Sequence, residues 1–374
     1  MLNPLVDARA HFVLPEGCIY FDCAYKSLTP LEAAAAAAQS PTAFDGPLAP
    51  EHAEQLRTEL ADTVARLVGL RADDLALVPS ASYGMALIRG LVRLRPGDEV
   101  LLLDTEHPAS ALPWYAACRL AGATVRLVST SIPDLTEAIL TQLSPAVKVV
   151  NIPQAHWIDG RPIELDEVAR SARELGALLI VDATQSVGGR PFDIPASQAD
   201  AVTFSGYKWL LGPIGVAYFY LAPPLRALAP FEHSWISYAG NGVSMFDEDG
   251  TIQLPPQPAD GMQRFEASGL HNPLTLRMAL AGANLVRKIG PDRILEHNAA
   301  IVARLRREFP DQVLRTATPC HFTGMSRSDP RRVARLLAAR SIHVSARGRF
   351  LRISPNVWNT ESDLEALVSE LRPL

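Results

Sequence analysis

A lysine flanked by two aromatic residues, Lys208, follows an apolar run in the stretch FSGYKWLLGP, residues 204–213. Lysine side chains are almost never fully buried without a partner. Lys208 therefore either keeps its ammonium group in water or supplies an amine to a reaction. An aspartate, Asp182, stands 26 residues earlier, at the end of another apolar run.

Polar side chains follow five apolar runs that are predicted to be strands. In an open α/β sheet, ligands bind beyond the carboxyl ends of the strands. We therefore expect these polar residues to meet at one edge of the sheet and to form a site there. The five stretches are PSAS (79–82), TEHPAS (105–110), PQAHW (153–157), DATQ (182–185) and SGYK (205–208).

A lysine and an aspartate at two strand ends suit a site for pyridoxal phosphate. The lysine amine forms a Schiff base with the aldehyde of this cofactor, and the carboxylate keeps its pyridine nitrogen protonated. Ser82 opens a predicted helix, and a helix start is a good site for a phosphate. The rival motifs GxGxxG after the first strand, GxxxxGKS/T, GxSxG and HExxH are absent.

Seven short apolar runs alternate with amphipathic segments from about residue 75 onward. The runs are apolar almost throughout, which is typical of strands that are covered on both faces. The segments between them, such as SYGMALIRGLVRL (82–94), have helical periodicity. This alternation predicts an α/β protein with a mostly parallel sheet. The predicted strands are residues 75–78, 99–104, 124–129, 147–152, 177–183, 200–205 and 214–221.

The two ends of the chain differ from its middle, which predicts a division into domains. Residues 1–48, rich in proline and alanine, are predicted to form an arm and a helix that belong to a small domain. Residues 49–272 are predicted to be the large, cofactor-binding domain. Residues 273–374 contain two helical patterns, short strands and a closing helix, and are predicted to be a smaller C-terminal α+β domain.

Several motifs, in this order, resemble the class V aminotransferase and cysteine desulfurase superfamily. The pair VDATQSVGG (181–189) and FSGYKW (204–209) carries most of the resemblance. The resemblance implies the PLP-dependent transferase fold of type I, with a mostly parallel seven-stranded sheet flanked by helices. It also implies an amino-acid substrate and a homodimer whose active site lies near the interface. The further matching motifs are YFDCA (20–24), EHPASALPW (106–114), RFEAS (264–268) and LRISPNVWNTESDLEAL (351–367).

The resemblance implies a role for each matching residue. Lys208, Asp182 and His107 are the implied catalytic residues: the lysine forms the Schiff base, the aspartate binds the pyridine nitrogen, and the histidine stacks on the ring. Arg352 is the implied ligand of the substrate carboxylate, a task suited to guanidinium. The other implied cofactor contacts are Gln185 at the phenolic oxygen, Ser82, Ala81, Ser205 and Tyr207 at the phosphate, His156 near the cofactor oxygen, and Ser268.

The chain departs from the family pattern in three places. Residues 341–352, SIHVSARGRFLR, form a short segment without the cysteine that desulfurases carry there, so we expect that the chain is not a true cysteine desulfurase. Ser268 stands where the family usually offers a threonine to the phosphate of the partner subunit. Ala81 and Ser82 replace a pair of threonines before the phosphate-binding helix.

The expected activity is that of a PLP-dependent enzyme acting on an amino acid, with aminotransferase chemistry as the first expectation. Elimination of a β-substituent by a C–S lyase and epimerisation of an amino acid are the alternatives. A non-catalytic protein with the same fold is more distant, and a nucleotide-binding α/β enzyme is more distant still. The residues suggested for substrate contact are Trp235, Tyr238, Asn241, Arg347 and Arg349.

The composition argues against several other classes of protein. Thirty-five basic and 40 acidic residues give a net charge of −5, which does not fit a nucleic-acid partner. No apolar run approaches the roughly 18 residues of a membrane-spanning helix, and no secretory signal is visible. The four cysteines form no CxxC pair, so we expect no metal site and a reduced, cytoplasmic setting.

Overall fold

The computed structural model describes residues 8–38, 50–227, 232–233, 235–238, 247–251, 258–269 and 272–374. These residues form twelve strands: β1 (Ile19–Tyr20), β2 (Ala76–Val78), β3 (Glu99–Leu103), β4 (Thr124–Val128), β5 (Val147–Pro153), β6 (Leu178–Asp182), β7 (Ala201–Ser205), β8 (Ala217–Leu221), β9 (Thr323–Ser326), β10 (Ile342–His343), β11 (Ser345–Arg347) and β12 (Phe350–Ile353).

Eleven α-helices connect and flank these strands in the described part of the chain. They are α1 (Leu31–Ala38), α2 (Pro50–Leu67), α3 (Ala81–Leu91), α4 (Pro108–Ala121), α5 (Leu135–Leu140), α6 (Leu165–Glu174), α7 (Ile194–Ser197), α8 (Pro273–Ile289), α9 (Pro291–Glu308), α10 (Pro330–Ala338) and α11 (Glu361–Leu371). Within the described residues, no helix is both long enough and apolar enough to cross a membrane.

The large sheet has seven strands in the order β2-β8-β7-β6-β5-β3-β4. Strands β3 to β7 pair in parallel wherever they are neighbours, whereas β8 runs antiparallel to both β7 and β2. Each of the seven apolar runs in the sequence forms one of these strands. The predicted α/β class and the mostly parallel seven-stranded sheet are therefore confirmed.

Helices cover both faces of the large sheet, which explains why its strands are apolar almost throughout. On one face, α3 and α4 contribute Met85 and the fully buried Trp114 to a core shared with β3 and β8. On the other face, α2, α6 and α8 contribute Val64, Val168 and Leu276 to a second core. Burial of a whole aliphatic side chain stabilises the fold by about 1.5–3 kcal/mol, so these two cores hold the sheet edge in place.

Helices α3 and α4 both begin at the edge of the sheet where β2 and β3 end. Ser80 caps α3, since its side chain accepts a hydrogen bond from the backbone N–H of Tyr83 at 3.1 Å. His107 caps α4, where Pro108 occupies the first helical position and needs no hydrogen-bond acceptor. The N-termini of two helices, with their partial positive charge, thus lie at the edge where the site is expected.

Gly84 lets α3 lie directly against β7. A Cβ atom at this position would come closer than 3.0 Å to the Thr203 Oγ1 atom, a separation that real Cβ atoms essentially never show. Glycine costs about 1 kcal/mol relative to alanine inside a helix, so its presence here reflects the need for close packing. The contact sets the distance between the start of α3 and the end of β7.

The C-terminal part contains a three-stranded antiparallel sheet in the order β11-β12-β9. The N-terminal arm joins this region, because β1 pairs in parallel with β10 and Asp22 bridges to Ser354. Residues from the two ends of the sequence are therefore neighbours. The domain boundaries at residues 48 and 272 stay predictions.

Candidate active site

A cleft lies at the carboxyl edge of the large sheet and collects side chains from all five predicted loops. Eight of the predicted site residues line it: Ala81, Ser82, His107, Asp182, Gln185, Ser205, Tyr207 and Lys208. The order of the strands explains this convergence. Strands β5, β6 and β7 are adjacent, and β3 lies beside β5, so the loops that follow these parallel strands open on the same edge.

Lys208 is buried in this cleft, with only 7% of its surface exposed. Burial, together with the positive charge of Arg352, lowers the pKa of its amine to about 8, against the opposing effect of Asp182. Its Nζ atom lies 5.7 Å from the centre of the Tyr207 ring. A lysine amine with this pKa is partly neutral near pH 8, as a nucleophile requires.

Asp182 ends β6, and its carboxylate accepts a hydrogen bond from the backbone N–H of Thr184 at 3.0 Å. Gln185 follows in the same loop and is held from both sides. Its Nε2 donates to the carbonyl of Ala24 at 3.0 Å, and its Oε1 accepts from Trp209 Nε1 at 2.9 Å. These contacts fix the amide, and one of its two N–H groups has no acceptor among the described residues.

Gly188 holds the Asp182 loop against the Lys208 loop. Its φ angle is +92°, and a Cβ atom there would lie 2.5 Å from the carbonyl oxygen of Trp209. Only glycine meets both conditions without strain. The double glycine of the sequence is therefore a turn, and it brings the two loops of the site together.

His107 faces the cleft beside Trp157, with the two rings edge to face and 5.2 Å between their centres. Burial lowers the pKa of His107, and Lys208 and Arg352 act in the same direction, while Asp182 opposes them. The ring is therefore neutral near pH 7. Its Nδ1 accepts the backbone N–H of Ala109 at 3.3 Å, which leaves the proton of the neutral ring on Nε2.

The predicted phosphate residues surround the start of α3. Ala81 and Ser82 are the first two residues of this helix, and Ser205 and Tyr207 reach the same cleft from the end of β7. Burial raises the pKa of Tyr207, and a hydrogen bond with Ser205 opposes this shift only in part, so Tyr207 keeps its proton. Hydroxyl groups and a helix N-terminus are together well suited to a phosphate.

Arg352, on β12, is only 1% exposed and contacts Trp157, a residue that lines the cleft. Its Nη1 donates to the carbonyl of Trp157 at 2.9 Å, and its Nη2 lies 3.4 Å from the Asp22 carboxylate. Its Nε has no partner among the residues that the structure describes. Burial lowers the pKa of Arg352 to about 10, which still leaves the guanidinium charged at pH 7.

His156 and Ser268 are not brought into the cleft. The ring of His156 is buried between Asp159, 2.9 Å from its Nδ1, and Thr105, 2.9 Å from its Nε2. Ser268 is exposed, and its backbone N–H donates to Glu232 at 2.8 Å. Both roles stay predictions, since no contact of either residue with the cleft is observed.

The two arginines suggested for substrate contact lie in different surroundings. Arg347 is half-buried on β11, the strand that pairs with the Arg352 strand. Arg349 is exposed in the turn that follows β11. Of the two, only Arg347 lies on the strand that pairs with the Arg352 strand.

The other residues suggested for substrate contact come from the loop-rich passage before α8. Trp235 begins the short 3₁₀ helix Trp235–Ser237. Tyr238 forms a β-bridge with Pro258, and its hydroxyl lies 2.6 Å from Nδ1 of His233. None of these three residues lines the cleft. Asn241 lies outside the described residues. The substrate roles of these residues stay predictions.

Sequence reasoning missed several residues that line the cleft, although each lies in a stretch that was singled out. They include Ser80, the true cap of α3, and Glu106, directly before His107. Burial raises the pKa of the Glu106 carboxyl to about 8. A serine one residue before a helical pattern is a recognised cap signal, whereas nothing in the sequence indicates that Glu106 is buried. The cleft is also lined by Thr184 and Trp157.

The residues of the cleft fit pyridoxal phosphate in their chemistry. They offer an amine of lowered pKa, a carboxylate, a neutral imidazole and a helix N-terminus with hydroxyl groups around it. The cofactor would need these groups for its aldehyde, pyridine nitrogen, ring face and phosphate respectively. Ala81 removes one hydroxyl from this set, and Ser80, Ser82 and Ser205 remain.

A family model described as "Aminotransferase class-V" matches residues 47–367. The chain belongs to this family. Pyridoxal phosphate is therefore its cofactor, and the prediction of a PLP-dependent aminotransferase or carbon–sulfur lyase is confirmed at that level.

Several relatives of this class V aminotransferase family member carry a more specific description. A probable cysteine desulfurase from Methanothermobacter thermautotrophicus is 26% identical over 345 residues, which cover 84% of this chain and 83% of the relative. An apo cysteine desulfurase from Thermococcus onnurineus NA1 shares the fold, with a TM-score of 0.85 at 20% identity over 100% of this chain and 98% of that one. The cystine C–S lyase C-DES, solved with cysteine persulfide, has a TM-score of 0.82 at 20% identity over 95% and 97%.

The expectation that this family member is not a true cysteine desulfurase is wrong. Several of its relatives and structural neighbours are named cysteine desulfurases, and the short segment at residues 341–352 is no ground for separating the chain from them.

Proposed function

We propose that this protein breaks the carbon–sulfur bond of a sulfur-containing amino acid. The observation that carries the proposal is the cleft in which Lys208, Asp182 and His107 meet. The buried Arg352 contacts Trp157 of the same cleft, and its Nε has no hydrogen-bond partner among the described residues. The names of the relatives favour carbon–sulfur cleavage over the aminotransferase reaction that was the first expectation from the sequence.

The cleft residues have distinct roles in this proposal. Lys208 would attach the cofactor, Asp182 would hold the pyridine nitrogen, and Gln185 would use its remaining N–H group toward the phenolic oxygen. His107 would lie against the ring. The phosphate would be held at the start of α3 by Ser82, Ser205 and Tyr207.

The cofactor, when bound, supplies an aldehyde for the substrate amine and a ring that accepts the electrons released at the α-carbon. Lys208 Nζ can take the α-proton, because its pKa of about 8 lets it accept and return protons near neutral pH. As the carbon–sulfur bond breaks, its electron pair leaves with sulfur. His107 can then give its Nε2 proton to that sulfur, since Nδ1 is occupied by the Ala109 N–H group.

Arg352 would bind the substrate carboxylate. Its Nε–H has no partner among the described residues. A buried donor without an acceptor destabilises the fold, and a carboxylate bound to the same edge of the guanidinium would supply the missing acceptor. Trp157 accepts a hydrogen bond from Nη1 and Asp22 accepts one from Nη2, so the guanidinium has a fixed orientation.

The protein is also proposed to act as a homodimer in the cytoplasm. Ser268 supports the dimer, because it is exposed and lies away from the cleft of its own chain, as a residue that serves a second subunit would. The four cysteines are free thiols, which fits a reducing compartment.

The products of the holoenzyme test the proposed reaction. We expect L-cysteine to give pyruvate, ammonia and sulfide, and L-cystine to give pyruvate, ammonia and cysteine persulfide. Alanine with a protein-bound persulfide would also show carbon–sulfur cleavage, by a route in which a protein thiol takes the sulfur and the electron pair stays on carbon. A keto acid that retains sulfur, formed together with pyridoxamine phosphate, would show transamination and contradict the proposal.

Replacement of the cleft lysine tests how the cofactor is attached. The matched control for Lys208→Ala is Lys148→Ala, whose amine lies outside the cleft and donates to the carbonyl of Pro145. Borohydride should attach the cofactor to the Lys208 peptide in the parent and in Lys148→Ala. Lys208→Ala should lose this attachment and at least about a hundredfold in rate. Attachment that persists in Lys208→Ala would refute the role of this lysine.

A further inference from the structure

Two arginines lie on the same face of the C-terminal sheet, and one of them, Arg352, donates to the carbonyl of Trp157, a residue that lines the cleft. Strand β11 pairs with β12 so that Ser345 lies opposite Arg352. Arg347 is two residues along β11 from Ser345, and side chains two apart on a strand point to the same face. Arg347 and Arg352 are therefore diagonal neighbours, with Cβ atoms roughly 7 Å apart.

Asp22 connects this face to the N-terminal arm. Its carboxylate accepts hydrogen bonds from Ser345 Oγ and from Arg352 Nη2. Burial raises the pKa of Asp22, while Arg352, Ser345 and Arg347 oppose this shift. The carboxylate of Asp22 is thus shared between Ser345 and Arg352, and within the described part of the chain it makes no hydrogen bond to Arg347.

Arg347 has the contacts of a cation that still lacks an anion. It is half-buried, its Nη1 donates to the carbonyl of Ala346 at 2.8 Å, and its guanidinium lies 5.9 Å from the centre of the Tyr25 ring. Among the described residues it forms no ion pair. Its positive charge contributes to the lowered pKa of both Lys208 and His107.

We propose that Arg347 binds a second acidic group of the substrate, so that the preferred substrate is an amino acid with two anionic groups. Arg352 would take the carboxylate next to the reacting carbon, and Arg347 would take the distal one. Tyr25, 59% exposed beside Arg347, would cover the distal part of the substrate. This inference rests on the proposed function for the position of the first carboxylate.

The separation of the two arginines limits the substrate further. Side chains that extend in parallel from Cβ atoms roughly 7 Å apart hold their guanidinium groups about the same distance apart, which suits two carboxylates joined by a chain of several atoms. Malonate, whose carboxylates share one carbon, is too short to reach both guanidinium groups in an extended arrangement. A longer dicarboxylate such as glutarate or adipate can span them.

Calorimetric binding of simple acids to the holoenzyme tests this inference without any reaction. The probes are propionate, malonate, glutarate and adipate at constant ionic strength. We expect glutarate or adipate to bind at least tenfold more tightly than propionate and malonate. Equal affinities for all four acids would overturn the proposal.

Arg347→Gln and Arg349→Gln form a matched pair, because both remove one positive charge from the same hairpin. Arg349 is exposed and lies over the ring of Phe350, away from the residues whose pKa values Arg347 affects. Arg347→Gln should lose the tenfold preference and bind propionate as the parent does. Arg349→Gln should keep the preference. The same result for both variants, or an equal loss for propionate and glutarate in Arg347→Gln, would contradict the assignment.

Two further variants distinguish a failure of this inference from a loss of folding and from a failure of the proposed function. Arg347→Lys keeps the charge, so it should retain part of the preference even if Arg347→Gln is less stable by thermal unfolding. Arg352→Gln should weaken propionate and glutarate alike, since it removes the first carboxylate site. If Arg352→Gln leaves propionate binding intact, the carboxylate role in the proposed function fails. If the parent protein instead shows no preference for glutarate or adipate, the role of Arg347 is rejected and the proposed function is not affected.

Discussion

At the scale of single residues, burial changes the charges that the cleft carries. Lys208 and Glu106 both line it, and the pKa of each is shifted to about 8, downward for the amine and upward for the carboxyl. Desolvation is the main cause in both cases, because the charged form of each group loses water on burial. Near pH 7 the Glu106 carboxyl is therefore mostly neutral, although it lies in a cleft that contains a buried amine.

Glu106→Gln should stabilise the cofactor-free protein in a pH-dependent way. An unfolded glutamate titrates near 4.5, while folded Glu106 titrates near 8. Between these values the folded state holds a proton that the unfolded state has lost, so the parent loses stability as pH rises from about 5 to 8. The variant lacks this penalty. We expect little change in melting temperature at pH 4.5 and a gain of a few degrees at pH 8.

The control for this prediction is Glu365→Gln, whose side chain is exposed on α11. It makes the same chemical change without a buried carboxyl, so its melting temperature should follow that of the parent at both pH values. A gain for Glu106→Gln that is the same at pH 4.5 and pH 8 would show that the carboxyl is not titrating between them.

At the scale of elements, the start of α3 depends on how closely that helix lies against β7. Alternation of apolar and amphipathic runs predicts both elements from the sequence. The predicted helix start is Ser82, however, and the structure places the cap at Ser80, because the Ser80 side chain accepts the Tyr83 N–H group. The contact of Gly84 with Thr203, which no local pattern predicts, sets the spacing between α3 and the end of β7.

Gly84→Ala should weaken cofactor binding although alanine favours helix by about 1 kcal/mol. The new methyl group would clash with Thr203 Oγ1, so α3 must move away from β7. We expect the dissociation constant for pyridoxal phosphate, measured by visible absorbance, to rise about tenfold, which corresponds to about 1.4 kcal/mol. Adding Thr203→Ala to this variant should recover part of the affinity, because it removes the nearest clashing atom. An unchanged dissociation constant in Gly84→Ala would mean that α3 does not position the phosphate.

At the scale of the whole molecule, the N-terminal arm closes the site from the far end of the sequence. Pairing of β1 with β10 brings Asp22 to Arg352 and Ala24 to Gln185. The resemblance of YFDCA to a family motif indicates that this segment has a function, but it does not predict which distant residues the segment contacts. A long-range pairing of this kind depends on the packing of the complete chain.

The position of Ser268 leads to a prediction about assembly. It lies outside the cleft of its own chain, so a phosphate contact from this residue requires a second copy. Light scattering of the purified holoenzyme should give a mass near twice 40.5 kDa at micromolar concentration. Ser268→Ala should then lower cofactor affinity without changing that mass. A mass of one chain with full cofactor binding would contradict the dimer and the role of Ser268 together.

Local patterns in the sequence were enough to predict the class of fold, the seven strands of the large sheet and eight of the residues that line the cleft. The spacing of apolar residues within a short run is enough to predict a strand or a helix, and ligands of such sheets bind where the strands end. Lys208, Asp182 and His107 could be found in this way because each follows or ends a buried strand.

Which charged side chains lie next to one another, in contrast, depends on packing between segments that are distant in the sequence. His156 lies one residue from the cleft-lining Trp157 in sequence, yet it turns away to Asp159 and Thr105. Arg347 and Arg349 are equivalent in sequence terms, and the pairing of β11 with β12 distinguishes Arg347, which shares a sheet face with Arg352, from Arg349, which is exposed in the turn. Strand register and the return of the N-terminal arm depend on contacts across the whole fold, and no short stretch of the chain contains that information.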